Sequence, residues 1–528
     1  LLLILVIVGL LPRALLWLTY EPVLYSDSIT YLEIALNFQK GDLAEQVRPY
    51  DTYTTDDMGG YALLSFMGRG HQHYQEGFFL VQRLRENIAQ ARGEGDTPDL
   101  ARERETIVTH LDTLARAVAG STLAEMGRQH TPSLENGSYL HPAEYTGHKP
   151  PVYPLFLLLL GRNLYLVWFA QSLLGILVSV MLFSIIKTQT GSEMLAFVVG
   201  LSHSLNLFQL LYEADILTET MTTFLIVLSL LLLSRLPHAA NSFARTGLLV
   251  AAGSTAALAG LTRQQFLYLP LLYALFLPFI QVWSGNTLVE KGKRTLTLLA
   301  PALLLILGWS FFHLANLGYF GPATQTGYSL SNHSGGFIEY APDEYAAIRD
   351  TYLKYRPAEA GKHPNTIWVA YPEIRQVAGL SEVELSRQLT KMSVGLFAEN
   401  PLRYATSVFK AWITFWKAPF YWEREQMSPP LLANLLLLIG KGERYLMVGV
   451  QGAFLLLSLY AGITVVLRRR SFAALHLLTI AIVLGASVVQ ALPEFGENGR
   501  YAVPLQSLVI AAVAVALWSY ISERRSGQ

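Results

Sequence analysis

The sequence predicts an all-α polytopic membrane protein, and three observations carry that prediction. Apolar runs of about 20 residues recur with almost no charge inside them, the length a helix needs to cross a bilayer core. Charged residues gather where the runs end: Asp27 follows the first, Glu213 and Asp215 fall between two later ones, and Arg500 precedes the last. The 528-residue chain is 52% hydrophobic and only 15% charged, with a mean hydropathy of +0.34. A soluble chain carries about 25% charge. Thirty-nine basic residues balance 39 acidic ones, so no bulk field draws nucleic acid. The lack of cysteine excludes disulfides and thiolate metal sites.

Roughly ten spans follow from length and hydropathy. The first, Leu1–Thr19, contains Pro12 and Arg13 and lacks a small-residue cleavage site, so it reads as a span rather than a cleavable signal. It opens inside an apolar run without methionine, which predicts a short preceding piece. Val152–Lys187 is too long for one helix, and Gly161-Arg162-Asn163 is the expected break. Glu193–Tyr212, Ile216–Arg235, Thr246–Leu261, Phe266–Trp283 and Thr295–Leu317 follow, then Tyr445–Leu467, Phe472–Ala491 and Tyr501–Ile521. Leu431–Ile439 is too short to cross and is expected to dip into the bilayer or lie on it.

Basic residues in short loops orient such a chain. Lys187, the Arg235-to-Arg245 loop, Lys291 with Lys293 and Arg294, Arg468-Arg469-Arg470, and Arg524-Arg525 all fall on one side, which the rule makes cytoplasmic. Both termini are then inside, and Tyr20–Pro151 and Gly318–Trp422 lie outside. Three regions result: a transmembrane catalytic module, 1–317, with its external helical segment 20–151; an external region, 318–422; and C-terminal transmembrane helices, 423–528.

The outer segments have helical patterns of their own. Leu80, Leu84 and Ile88 recur every four residues, and Leu100, Ile107, Leu111, Leu114 and Val118 make a second stripe. Thr97-Pro98 is a good helix start, so a hairpin turning at Gly93–Asp96 is expected. Tyr319–Glu339 reads as a loop. Arg403–Trp422, with Trp412, Phe415, Trp416 and Phe420 beside Lys410 and Lys417, suits the headgroup zone.

Several residues are candidates for chemistry. Asp27 sits just past the first span, where a carboxylate acts as a general base or caps the helical run Tyr31–Phe38. Glu213 and Asp215 suit a divalent cation or a sugar hydroxyl, or form a solvated turn with Asp215 capping the next helix. Glu219 lies inside a span, where a carboxylate points into a cavity or pairs with a base. Lys149, fixed by Pro150 and Pro151 after His148, joins Arg263 and Arg500 on the outer face. Guanidinium forks suit phosphate oxygens. His203 and His313, lone histidines in apolar runs, read as hydrogen-bonded between helices.

Four of these places together resemble the GT-C superfamily of polytopic glycosyltransferases, nearest the protein O-mannosyltransferase and lipid A aminoarabinose transferase branch. They are Ser26-Asp27-Ser28 with Tyr31 and Ala35; Lys149-Pro150-Pro151 before Val152-Tyr153-Pro154; Glu213 and Asp215 leading to Thr218-Glu219; and Arg500-Tyr501 with Pro504. The outer hairpin is larger than the family pattern, and the first acidic motif is a single aspartate. The resemblance implies a GT-C-like helical bundle and a polyprenyl-phosphate sugar donor. It implies a protein, glycan or lipid acceptor reached from outside, and an inverting displacement. It makes Asp27 the base. Lys149, Arg263, Arg500 and Tyr501 become donor-phosphate ligands, with His148, Glu213, Asp215 and Glu219 in support. It implies no obligatory metal, while Glu213 and Asp215 leave a divalent cation open. A bacterial or archaeal plasma membrane, with the active site external, is the expected setting. Two other functions compete: a transporter or flippase, which needs a polar path through the bilayer, and a non-catalytic subunit that binds a partner through its outer hairpin.

Overall fold

The computed structural model describes residues 1–41, 55–67, 73–128, 147–280, 287–359, 366–418, 422, 424, 427–467, 473–496 and 498–526. Among them every regular element is a helix, apart from one isolated parallel bridge between Val23 and Asp215. The chain begins with α1 (Leu2–Thr19) and α2 (Ser26–Lys40). Helix α2 starts upstream of the expected Tyr31, so Asp27 lies in its first turn rather than at its cap. The Ser28 hydroxyl accepts the Tyr25 N–H there, at 2.9 Å.

Three helices follow: α3 (Thr55–Met67), α4 (Tyr74–Glu94) and α5 (Pro98–Ala119). The last two form the expected hairpin. Thr97 accepts the Leu100 N–H at 3.3 Å, and Leu84, Ile88, Ile107, Leu111 and Leu114 are buried. Helix α3 was not visible in the sequence pattern; it adds Leu63, Leu64 and Met67 to the same core.

Next come α6 (Val152–Leu159) and α7 (Leu164–Thr190), split where expected. Gly161 and Arg162 take left-handed backbone angles, and the Asn163 side chain caps α7. The expected span Glu193–Tyr212 is instead a bent pair, α8 (Glu193–Ser204) and α9 (Leu207–Ala214), with 46° between them. Asn206 causes the break by capping α9 through the Gln209 N–H at 2.9 Å. Glu213 therefore sits within a helix and not in a turn.

The chain continues through α10 (Glu219–Arg235), α11 (Ser242–Thr262) and α12 (Leu269–Ile280), then α13 (Leu288–Leu317). Helix α12 is shorter than the expected Phe266–Trp283, whose last residues lie outside the described ones. Helices α11 and α13 touch closely at Gly253, where a Cβ would lie 1.9 Å from the Leu298 carbonyl oxygen.

The long region after α13 contains α14 (Thr326–Ser334), α15 (Ala346–Glu359), α16 (Thr366–Ala378) and α17 (Glu382–Glu399). They enclose their own core of Tyr328, Ile338, Tyr352, Ile374 and Leu385. Much of the expected loop Tyr319–Glu339 is thus helical. Helix α18 (Pro401–Phe415) packs on α20 through Trp412, which donates to Ser487 Oγ at 3.1 Å. Its opposite face leaves Leu402, Phe409 and Ile413 exposed.

The chain ends with α19 (Pro430–Val466), α20 (Ala474–Ala491), a 3₁₀ stretch Arg500–Leu505 and α21 (Gln506–Ser526). Helix α19 absorbs the run Leu431–Ile439, which is not a separate dipping segment.

Eight of these helices are long and apolar enough to cross a membrane, and α8 with α9 makes a ninth if the bent pair is one crossing. Their apolar core joins α7, α10, α11, α12, α20 and α21. A second core sets Tyr31 and Leu32 of α2 against Leu84, Ile107, Tyr153, Tyr212 and Val503. It fixes α2, and so Asp27, over the ends of the spans. At the other ends, Arg235 donates to Ser184 Oγ at 2.5 Å, beside Lys187. Arg468–Arg470 lie outside the described residues.

The basic-loop rule yields a direct test of orientation. Gly93 and Gly292 have open space where a Cβ would go, and the chain has no cysteine of its own. A membrane-impermeant maleimide added to intact cells is expected to label Gly93→Cys and to spare Gly292→Cys. The reverse pattern would invert the topology.

Candidate active site

Local structure brings the site together before any side chain does. Val23 donates its N–H to the Ala214 carbonyl at 3.0 Å and accepts the Ile216 N–H at 2.9 Å. This clasp holds the start of α2 against the α9–α10 junction. Glu219 is the first residue of α10, Arg263 ends α11, and Arg500 opens the last span. Lys149 precedes α6, and the neighbouring Gly147 carbonyl accepts the Thr324 N–H at 3.0 Å.

Five charged side chains then meet. Lys149 Nζ donates to Asp27 Oδ1 at 2.9 Å, and Arg500 Nη1 to Asp27 Oδ2 at 2.9 Å. Arg500 Nε donates to Glu219 Oε1 at 2.6 Å, and Arg263 Nη1 lies 3.0 Å from the same oxygen. The Arg263 guanidinium stands 4.4 Å from the Tyr501 ring centroid, within cation–π range. Glu219 is fully buried, whereas the Asp27 side chain keeps 31% exposure, so the cluster opens on the Asp27 side. Three cations face two carboxylates, an excess of one positive charge. Burial favours the neutral form of Asp27, but the charges of Lys149 and Arg500 and their hydrogen bonds outweigh it. They hold Asp27 well below the usual carboxylate range. Burial likewise pushes Lys149 down, yet the Asp27 charge leaves it above its ordinary value.

One carboxylate here was missed in the sequence. Glu494 lies in the loop between α20 and Arg500. It accepts the Tyr501 hydroxyl at 3.1 Å and Gln490 Nε2 at 3.2 Å. Burial raises its carboxyl above the ordinary value, against an opposing pull from Lys149. Its position six residues before an arginine at the start of a span was the available signal.

Other candidates lie elsewhere. Glu213 is paired with Arg13 at 2.5 Å, both side chains being buried. Gly175 makes room for the pair: a Cβ there would sit 1.9 Å from Glu213 Oε1. Glu213 therefore does not line the Asp27 cluster. With a guanidinium on its carboxylate, it does not fit a cation site shared with Asp215. Asp215 is buried at the clasp, where its carbonyl and that of Glu213 both accept Gln171 Nε2 at 2.8 Å. Among the described residues no group of three or more His, Asp or Glu suits a metal ion. His148 turns to the region of α14–α17, with Nδ1 2.8 Å from Glu382 Oε1 and Nε2 3.1 Å from Gln325 Nε2. His203 bonds Ser507 across helices at 2.6 Å, and His313 bonds the Gly321 carbonyl at 2.8 Å.

No protein-family profile, curated protein or solved structure matches the chain. Lys149, Arg263 and Arg500 form a partly open cationic centre at the span ends, braced by carboxylates and suited to an anion.

Proposed function

We propose that this chain transfers a sugar from a polyprenyl-phosphate donor to an acceptor hydroxyl at one membrane face, in the manner of the GT-C glycosyltransferases it resembles. The observation that carries the reading is the meeting of Lys149, Arg263 and Arg500 around Asp27 and Glu219 from five separate stretches of chain. A sugar phosphodiester carries one negative charge, which the clustered Lys149, Arg263 and Arg500 can receive. Displacement at the anomeric carbon sends an electron pair to the phosphate oxygen. Cations already in place stabilise that growing charge without reorganising. The donor's lipid tail belongs in the bilayer beside the spans, with its phosphate at their ends, and attack from the opposite side inverts the anomeric carbon. The ten-span GT-C architecture, with α12 as the tenth crossing, belongs to the same proposal.

The test uses the protein in liposomes with a panel of radiolabelled polyprenyl-phosphate sugars. Sugar transfer to a hydroxyl acceptor supports the reading. Movement of the donor across the bilayer without transfer favours the transporter instead.

Within this reading Asp27 is the anion that positions Lys149 and Arg500. Asp27→Asn keeps the shape and increases the positive excess, so donor binding is expected to persist. Turnover is expected to fall roughly a hundredfold, the scale of a displacement of about 1 Å at a reacting centre. The pH–rate profile should keep its form. Wild-type turnover in this variant would remove Asp27 from the mechanism.

A further inference from the structure

We propose that Glu494 is the general base that takes the proton from the acceptor hydroxyl. The inference rests on the sugar-transfer reading and replaces the role that family resemblance gives Asp27.

Geometry separates the two carboxylates. Both oxygens of Asp27 receive cationic donors, one from Lys149 and one from Arg500. A proton bound there would neutralise the charge that both cations stabilise, which makes Asp27 a weak base. Glu494 differs in its hydrogen-bond donors. Two neutral donors, the Tyr501 hydroxyl and the Gln490 amide, reach the same oxygen, Oε2. The residue is only partly buried. It still belongs to the centre: it feels the charges of Lys149 and Asp27, and Tyr501 links it to Arg263. Desolvation raises its carboxyl above the ordinary value, which makes it a stronger base than an ordinary glutamate.

Gln490 comes from α20, Tyr501 from the 3₁₀ stretch, Lys149 from the loop before α6 and Asp27 from α2. From α14, the His333 ring stacks 6.0 Å from neighbouring Phe495 and donates to or accepts from backbone and Ser407 rather than the Glu494 carboxylate. Burial pushes His333 down to about 4, so it is neutral near pH 7.

The step balances. The acceptor O–H bond breaks, and its proton passes to Glu494. The acceptor oxygen bonds the anomeric carbon, and the bond from that carbon to the phosphate oxygen breaks. The electron pair leaves with the phosphate, among Lys149, Arg263 and Arg500. Glu494 then returns its proton to water.

The sign of the pH dependence follows. Only ionised Glu494 accepts a proton, so turnover should rise with pH along a limb displaced above the ordinary glutamate range.

The experiment measures single-turnover transfer in liposomes loaded with the polyprenyl-phosphate sugar the wild type uses, between about pH 5 and 9. Donor binding is measured alongside. Glu494→Gln is expected to bind donor within about twofold of wild type, to lose roughly a hundredfold in turnover and to lose the acid limb. Glu494→Asp should regain part of the rate and the limb. Wild-type turnover or an unchanged limb in Glu494→Gln overturns the assignment while leaving sugar transfer intact. Loss of donor binding in Glu494→Gln also overturns it, because the residue would then be structural. If the wild type transfers no sugar from the panel, the sugar-transfer reading falls and this assignment falls with it.

Discussion

Arg500→Lys is expected to lower transfer by at least about a hundredfold, because no single ammonium can do what this guanidinium does. Arg500 donates in two directions at once, through Nη1 to Asp27 and through Nε to Glu219. A lysine can keep one of these bonds. The abandoned carboxylate keeps one cation, Arg263 for Glu219 or Lys149 for Asp27, so the loss stays below the roughly 3–5 kcal/mol of a buried charge left with no partner. Donor affinity and turnover report different things here. If the phosphate contact is equal in ground and transition states, the loss appears as weaker donor binding. If it strengthens as charge develops on the leaving phosphate, the loss appears in turnover. Transfer within tenfold of wild type in Arg500→Lys would show that a point charge suffices, and the bidentate argument would fail.

The parts of this site that were legible in the sequence share one property: their signal is local. A charge at the end of an apolar run is visible wherever it falls, so Asp27, Lys149, Glu219, Arg263 and Arg500 could be placed on one face before their contacts were known. The hairpin α4–α5 was legible for the same reason, since a four-residue stripe and a Thr-Pro start need no distant information. What failed depended on partners far along the chain. Glu213 looked like a turn residue because a carboxylate beside Asp215 suggests water. Its partner is Arg13, 200 residues away. The break between α8 and α9 comes from Asn206 capping inside an apolar run, where hydropathy sees no interruption. Glu494 was overlooked because the stretch before Arg500 reads as a polar loop, and only the Tyr501 and Gln490 contacts tie it to the cations. Helix α3 carries too weak a periodicity to stand out and is held by packing against α4 and α5.

The Arg13–Glu213 pair leads to the largest expected effect on stability. Both groups are buried, Arg13 3% and Glu213 1% exposed, between helices that read as membrane spans. Arg13 also donates to the Gly9 carbonyl at 2.7 Å. Glu213→Ala would leave a guanidinium desolvated without its counter-ion, which costs about 3–5 kcal/mol. Replacing both groups by leucine-sized apolar residues should recover most of that loss, because a buried pair stabilises little beyond its own desolvation. Gly175→Ala is expected to destabilise as well, since its Cβ would sit 1.9 Å from Glu213 Oε1. Unfolding midpoints in mild detergent measure all three. A Glu213→Ala protein as stable as wild type would show that the pair contributes nothing. The double replacement also separates structure from chemistry. The pair holds α9 against α1, and the Val23 clasp at the end of α9 carries that placement to Asp27. A stable double variant that still transfers sugar leaves Glu213 as a strut. A stable variant that binds donor and does not transfer would return Glu213 to the reacting centre.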